Sequence, residues 1–244
     1  MICKFFSDDI EKEAMILSLI AGWAKSRGGV DVSVLREHGA VHCLFAHAIG
    51  KIPRERESFY WNCENIADDA AKFNGNQAHF LSIFGVSNKT HESLLAANYK
   101  VIAHETHMYR YLDAEEPAVN DTVIRVRTRE QADWYNDQKG TLFIKPVHLN
   151  DPDVYDFYTE YEGIMTSHAR AIRSGNYLVI DDVHTRPEYQ RKGLATTLLS
   201  VITSVALLEK LRALTLISSK AGVPLYLHDN YQLGPSLTVY SSPD

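Results

Sequence analysis

The sequence predicts an α/β chain, and two stretches carry the prediction. YLVIDDVHT at 177–185 has the character of a strand. The apolar-periodic run at 196–211 suits a helix of about four turns, and LTLISS after it is again strand-like. Strand, helix and strand in that order imply a βαβ-type unit over 177–219. Further back, SLLAANYKVIAHETHMYRYL at 93–112 reads as a short helix, a turn at Asn98 and a strand. DAEEPAVND at 113–121 is acidic, nonperiodic and broken by Pro117. It marks a boundary between an N-terminal domain, 1–113, and a C-terminal domain, 121–244.

The other elements follow in chain order. Residues 9–27 are predicted helical: Met15, Leu19 and Trp23 share a face with Ile16 and Ile20 beside them, and Gly28 and Gly29 supply a stop. VDVSVL at 30–35 suits a strand or the start of a helix, and HCLFAHAIGKI at 42–52 is too short to assign. The pattern over 64–84 is helical, with a break at Gly75. After the boundary, TVIRVRT is a strand, REQADWYNDQ a short helix and TLFIKPVHL a strand. From Tyr155 an aromatic, acidic helix or loop leads into a strand near 163–172, and SGN at 174–176 is a tight turn. AGVPLYLHDN is then a short helix and LTVYS a last strand. SLLAANYKVI in the first half echoes PLYLHDNYQL in the second: helix, Asn-Tyr, strand.

The composition is ordinary for a globular chain of 244 residues, 45% apolar and 23% charged, with a net charge of -6. That charge argues against a general nucleic-acid binder, which carries a broad basic face. Cys3, Cys43 and Cys63 are odd in number and widely spaced, so no disulfide framework is expected; neither CxxC nor HExxH is present, and no metal site is assigned. The start MICKFFSDDIEKEAM turns acidic too soon for a signal peptide, and no apolar stretch reaches the length of a membrane span. A cytoplasmic location without a membrane partner is therefore expected.

The stretch with most chemistry in it is VHTRPEYQRKGLA at 183–195, between the strand and the long helix. The first turn of a helix has backbone amides without intrahelical partners, and the helix dipole adds partial positive charge. A glycine there lets the main chain come close to a ligand. Gln190, Arg191, Lys192, Gly193, Leu194 and Ala195 are thus placed to cradle an anion, most naturally a pyrophosphate. Composition alone equally allows a solvated basic loop. GxGxxG and the Walker phosphate loop are both absent.

The same stretch resembles the acetyl-CoA signature of the GCN5-related N-acetyltransferase superfamily, Q/R-x-x-G-x-G/A, here Gln190 to Ala195. V-x-T-x-P-E-Y before it, and GVPLYLHDNYQL after it, are similar to the flanking segments of that family. Asn230-Tyr231 stand where the family usually has Gly-Phe, a mild change because Asn tolerates the left-handed conformation. The resemblance covers roughly 162–240. It implies a mixed, mostly antiparallel central sheet flanked by helices. If the Asn-Tyr echo is real, 1–113 resembles a degenerate copy of the same fold that lacks the cofactor turn.

The resemblance also implies a reaction: acetyl transfer from the cosubstrate acetyl-CoA to an amine, by direct attack in a ternary complex. The backbone of Val183, His184 and Thr185 would pair with the pantetheine arm, and amides there would polarise the thioester carbonyl. Tyr226 would protonate the departing thiolate. For the base, Asp181, Asp182, Glu162, His168 and His184 are candidates; strand alternation lets only one of Asp181 and Asp182 face the cleft. Asp151, Asp153, Asp156, Glu160 and Glu162, with Tyr155, Phe157, Tyr158 and Tyr161 interleaved, make either a surface attractive to a cationic amine or a solvated acidic helix. The expected acceptor is a small-molecule amine, a metabolite or an antibiotic. A peptide or protein acceptor, a non-enzymatic acyl-CoA binder and a homodimer stay open.

Overall fold

The computed structural model describes residues 10–27, 35–37, 40–50, 52–61, 66–74, 77–112 and 120–243. The chain runs α1 (Ile10–Ser26), β1 (Leu35–Glu37), β2 (Ala40–Ile49), β3 (Arg54–Trp61), α2 (Ile66–Asn74), β4 (His79–Phe84), α3 (Asn88–Ala96) and β5 (Lys100–Tyr111). It continues β6 (Val123–Arg125), α4 (Arg129–Lys139), α5 (Pro146–Leu149), β7 (Val154–Tyr161), β8 (Ile164–Ser174) and β9 (Tyr177–Thr185). A short 3-10 turn (Pro187–Tyr189), α6 (Leu194–Leu208), β10 (Ala213–Ser219), α7 (Val223–His228) and β11 (Gln232–Ser241) complete it.

All strands join one 11-stranded sheet in the order β1-β2-β3-β4-β11-β5-β10-β9-β8-β7-β6. Pairing is antiparallel except at β3–β4 and β9–β10. This is the mixed, mostly antiparallel sheet flanked by helices that the resemblance implied. The βαβ unit predicted over 177–219 is β9–α6–β10, with Tyr177 opposite Ala213.

Helices cover both faces. On one face α6 buries Leu198, Leu199, Ile202 and Ala206 against Ala169 and Ala171 of β8, Leu178 and Ile180 of β9, and Leu214 and Leu216 of β10. The other face takes α1, whose Ile16, Leu19, Ile20 and Trp23 pack with Ile172, Val179 and Leu237. The i, i+4 pattern read in 9–27 is thus the buried face of α1. Its approach is close: a Cβ on Gly22 would lie 2.6 Å from Val179 Cγ2.

Two features tie the halves of the chain together. α1, from the first half, lies on β8 and β9 of the second. β5 sits between β11 and β10, while β11 sits between β4 and β5, so each half inserts a strand beside the other's. The Asn-Tyr echo has a structural counterpart. Asn98 and Asn230 both take φ 62. Tyr99 N–H donates to Leu94 O and Tyr231 N–H to Tyr226 O, closing α3 and α7 in the same way.

Several local expectations are corrected. The aromatic, acidic run at 154–161 is the strand β7, not a helix: its residues from Val154 to Thr159 are buried on both faces of the sheet, which favours aromatic and β-branched side chains. Asp156 there is buried against Arg170, and Asp151 and Asp153 pair with Lys25, so these three do not form a free acidic surface. TLFIKPVHL is no strand; Pro146 opens the one-turn helix α5, having no N–H for a ladder. The helical pattern over 64–84 ends with α2, and 79–84 is β4, buried along its whole length. HCLFAHAIGKI contributes most of β2, where Cys43 is buried and burial pushes its thiol up to about 12. Cys3, Cys63, Gly28, Gly29 and Gly75, 30–34 of VDVSVL and 113–119 of the boundary segment lie outside the described residues.

Candidate active site

The site begins where β9 leaves β10. Their parallel ladder runs from Tyr177↔Ala213 to Ile180↔Leu216 and stops, although β9 continues to Thr185 and β10 to Ser219. A bulge accompanies the split: β9 spends one more residue than β8 between Asp181↔Arg170 and His184↔His168, and Asp182 takes φ 54. The sheet therefore opens into a wedge, and the β10-facing edge of Val183, His184 and Thr185 loses its strand partner. The corresponding ladder in the first half stays closed, since β3 pairs with β4 out to Trp61↔Phe84, the last residues of both strands. No wedge exists there among the described residues.

At the tip of β9 the chain turns into α6. Pro187 opens the 3-10 turn, and Gln190 Nε2 donates to Thr185 O at 3.1 Å, pinning the loop to the strand end. Arg191 (φ 59) and Gly193 (φ 78) adopt left-handed conformations. The first backbone bond of α6 runs from Thr197 N–H to Gly193 O, and no side chain caps the helix. The amides of its first turn are left for a ligand. A Cβ built on Gly193 meets nothing within 4 Å, so the space before these amides is open. Arg191 and Lys192 are exposed beside it. The predicted cradle, Gln190 to Ala195, is thus brought together with the predicted rail, Val183 to Thr185, and both fit a pyrophosphate with an extended arm.

Tyr226 lies on α7, on the α6 side of the sheet, packed edge-on against Tyr231 at 5.4 Å. It is 7% exposed, and its hydroxyl has no hydrogen-bond partner among the described residues. Burial, reinforced by the charge of Asp181, pushes the phenol above its ordinary range, so it is protonated at neutral pH.

The opposite face holds the charged groups. Asp181 accepts from Ser26 Oγ at 2.6 Å and from Arg27 Nη1 at 2.9 Å, at the end of α1. Asp182 pairs with Lys139 of α4, and its Oδ2 lies 3.2 Å from His168 Nε2. Burial opposes ionisation of Asp182, but the hydrogen bonds from His168 and Lys139, with their charge, hold its carboxyl below the usual range. Burial and the neighbouring His168 ring, 5.3 Å away, lower His184 below the ordinary imidazole value. Strand alternation predicted that one of Asp181 and Asp182 would face the cleft. The bulge overrides it, and both line one pocket with Ser26, Arg27, Phe143 and His148. Glu162 stands apart from them, exposed at the β7–β8 turn with φ 50.

Beneath this pocket Arg170 is fully buried. It binds Asp156 through Nε (2.7 Å) and Nη2 (3.0 Å) and donates to Ser26 O at 3.0 Å. Its guanidinium lies 4.0 Å from the Phe143 ring centre. One side chain thereby joins β7, the end of α1 and the α4–α5 connection. Nothing local in the sequence marks Glu105 of β5, because its place depends on the insertion of β5 next to β10.

A helix terminus with free amides continuing into an opened strand edge is the arrangement that the resemblance to an acetyltransferase family implied. The Acetyltransferase (GNAT) family model matches residues 107–228, half of the chain, and the chain belongs to this family. Its sheet and helices are those of the family's acyl-CoA-binding fold. Solved structures agree on the fold. A GCN5-related N-acetyltransferase from Kribbella flavida superposes with a TM-score of 0.61 at 14% identity, covering 95% of both chains. One from Sphaerobacter thermophilus gives 0.62 at 11% identity, covering 96% of this chain and 93% of that one. A GCN5-related N-acetyltransferase-like protein from Streptococcus suis gives 0.53 at 13%, covering 94% and 98%. No curated protein sequence matches the chain.

Proposed function

We propose that this protein transfers the acetyl group of acetyl-CoA to the amine of a small molecule, by direct attack in a ternary complex. The observation that carries the reading is the end of the β9–β10 ladder at Ile180↔Leu216, leading straight into the left-handed turn at Arg191 and Gly193. The first-turn amides of α6, with Arg191 and Lys192, would hold the pyrophosphate. The backbone of Val183, His184 and Thr185 would pair with the pantetheine arm, and an amide there would take up charge developing on the thioester oxygen. Tyr226, protonated and on the α6 side of the sheet, would give its proton to the departing sulfur.

A small acceptor is favoured by how the pocket is walled. Ser26 and Arg27 at the end of α1, Ile49 and Gly50 at the end of β2, Thr141 to Phe143 from the α4–α5 connection and both aspartates line it. The first half of the chain thus supplies part of the wall, and a walled pocket suits a small amine better than an extended peptide. The test is a panel of primary amines and short peptides with acetyl-CoA, read by free thiol and by the mass of the product. Small-amine acetylation supports the reading; acetylation of peptides alone would replace the acceptor class, and thiol release from neither would remove the transferase reading.

A further inference from the structure

Resting on that reading, we infer that Glu105, a residue of the first half of the chain, is the base that takes a proton from the acceptor ammonium. β5 runs antiparallel to β10 with Glu105 opposite Ser219, past Leu216, where β9 has already left. Glu105 therefore lies at the level of the wedge, across β10 from it. Directly opposed residues of an antiparallel pair share a face. Glu105 is opposite Leu237, which packs with Val179 on the α1 face, and Val179 shares its side of β9 with Asp181. Glu105 and Asp181 thus stand on the same face, the one on which the acceptor pocket opens, while Tyr226 packs on the other.

Availability separates Glu105 from the other carboxylates of this face. Asp181 is held by Ser26 and Arg27, and Asp182 by Lys139 and His168. Glu57 of β3 is held by Arg54 and Ser82, and Asp156 by Arg170. Glu105, half-buried, has neither a hydrogen bond nor an ion pair among the described residues. The charged groups facing it are Glu57 from β3, Arg27 from α1 and Asp181 from β9. Burial first, and then the two carboxylates against the one guanidinium, raise its carboxyl above the ordinary range, toward that of a useful base.

The proton count closes. An ammonium nitrogen sheds two protons on becoming an amide. Glu105 takes the first and returns it to solvent. As the C–N bond forms and the C–S bond breaks, Tyr226 protonates the sulfur; the second proton leaves nitrogen to solvent and Tyr226 regains one from solvent, so one proton is released overall.

The experiment uses the full chain and the amine that the wild type acetylates fastest. Glu105→Gln is expected to lower kcat by about 100-fold, with CoA affinity within twofold of wild type. It is also expected to abolish the acidic limb that carboxylate titration imposes on kcat/KM, leaving only the dependence on free amine. Glu105→Asp should recover part of the rate and the limb. A Glu105→Gln enzyme that binds CoA normally and keeps both kcat and the limb overturns the assignment, as does transfer of the effect to Asp181→Asn. A wild type that acetylates no amine brings down the transferase reading instead, so the two failures are distinct. Unimpaired CoA binding guards against misfolding, and a Glu105→Gln chain that does not fold leaves Glu105→Asp to decide: wild-type kcat and limb there overturn the role.

Discussion

Gly193→Val separates two reasons for the glycine at the head of α6. Gly193 has φ 78, a region that costs an L-residue about 1–2 kcal/mol, more for a β-branched one. A Cβ there meets nothing within 4 Å, so strain is the only expense in the free protein. For a chain of this size that corresponds to a fall in Tm of about 2–8 °C. The consequence for ligand binding is larger. A branched side chain at the head of α6 would crowd a pyrophosphate held by the first-turn amides, and one charge-assisted hydrogen bond to it is worth about 1.5–3 kcal/mol. Losing one should weaken CoA binding by about ten- to hundredfold. Asn tolerates the left-handed region, so Gly193→Asn should restore Tm but not affinity. Calorimetric titration with CoA at constant ionic strength, beside thermal melts, reads both. Wild-type CoA affinity in Gly193→Val would refute the assignment of this turn, whatever Tm did.

Other outcomes follow from the same geometry. Tyr226→Phe should cut kcat by about 100-fold while leaving CoA affinity unchanged, measured by steady-state kinetics and titration; an unaltered kcat places thiolate protonation elsewhere. Arg170→Met leaves Asp156 buried and unpaired and should cost about 3–5 kcal/mol in chemical denaturation. The double variant Arg170→Met/Asp156→Leu should recover much of that loss; equal loss in both would show that the ion pair is not what matters. Gly22→Ala forces a Cβ to within 2.6 Å of Val179 and should cost about 1–3 kcal/mol. Val179→Ala in the same chain should partly rescue it, and absence of rescue would mean that the close approach of α1 to β9 is not limiting.

Some of this was legible in sequence because its causes are local. A strand, a Pro-started turn, a glycine and an amphipathic helix stand next to one another at 177–211, and nearest-neighbour geometry is enough to make them a candidate anion site. The Asn98 and Asn230 turns were legible for the same reason, since a left-handed residue closing a helix needs only its own carbonyls. β7 was not: its carboxylates suggested a solvated face until Arg170, from the next strand, supplied a buried partner for Asp156.

What the sequence by itself determined is the local form of one turn, strand into glycine into helix, and the family that this turn resembles. The tertiary structure decided everything that depends on strands meeting at a distance. It turned Asp182 toward Lys139 and His168 through a bulge that alternation could not foresee. It opened the β9–β10 ladder and left the matching β3–β4 ladder closed. It also set β5 beside β10, bringing Glu105 from the other half of the chain onto the face that holds Asp181. The physical reason is that register and strand order are settled by which apolar faces bury one another across the whole sheet, and no short stretch of sequence carries that information.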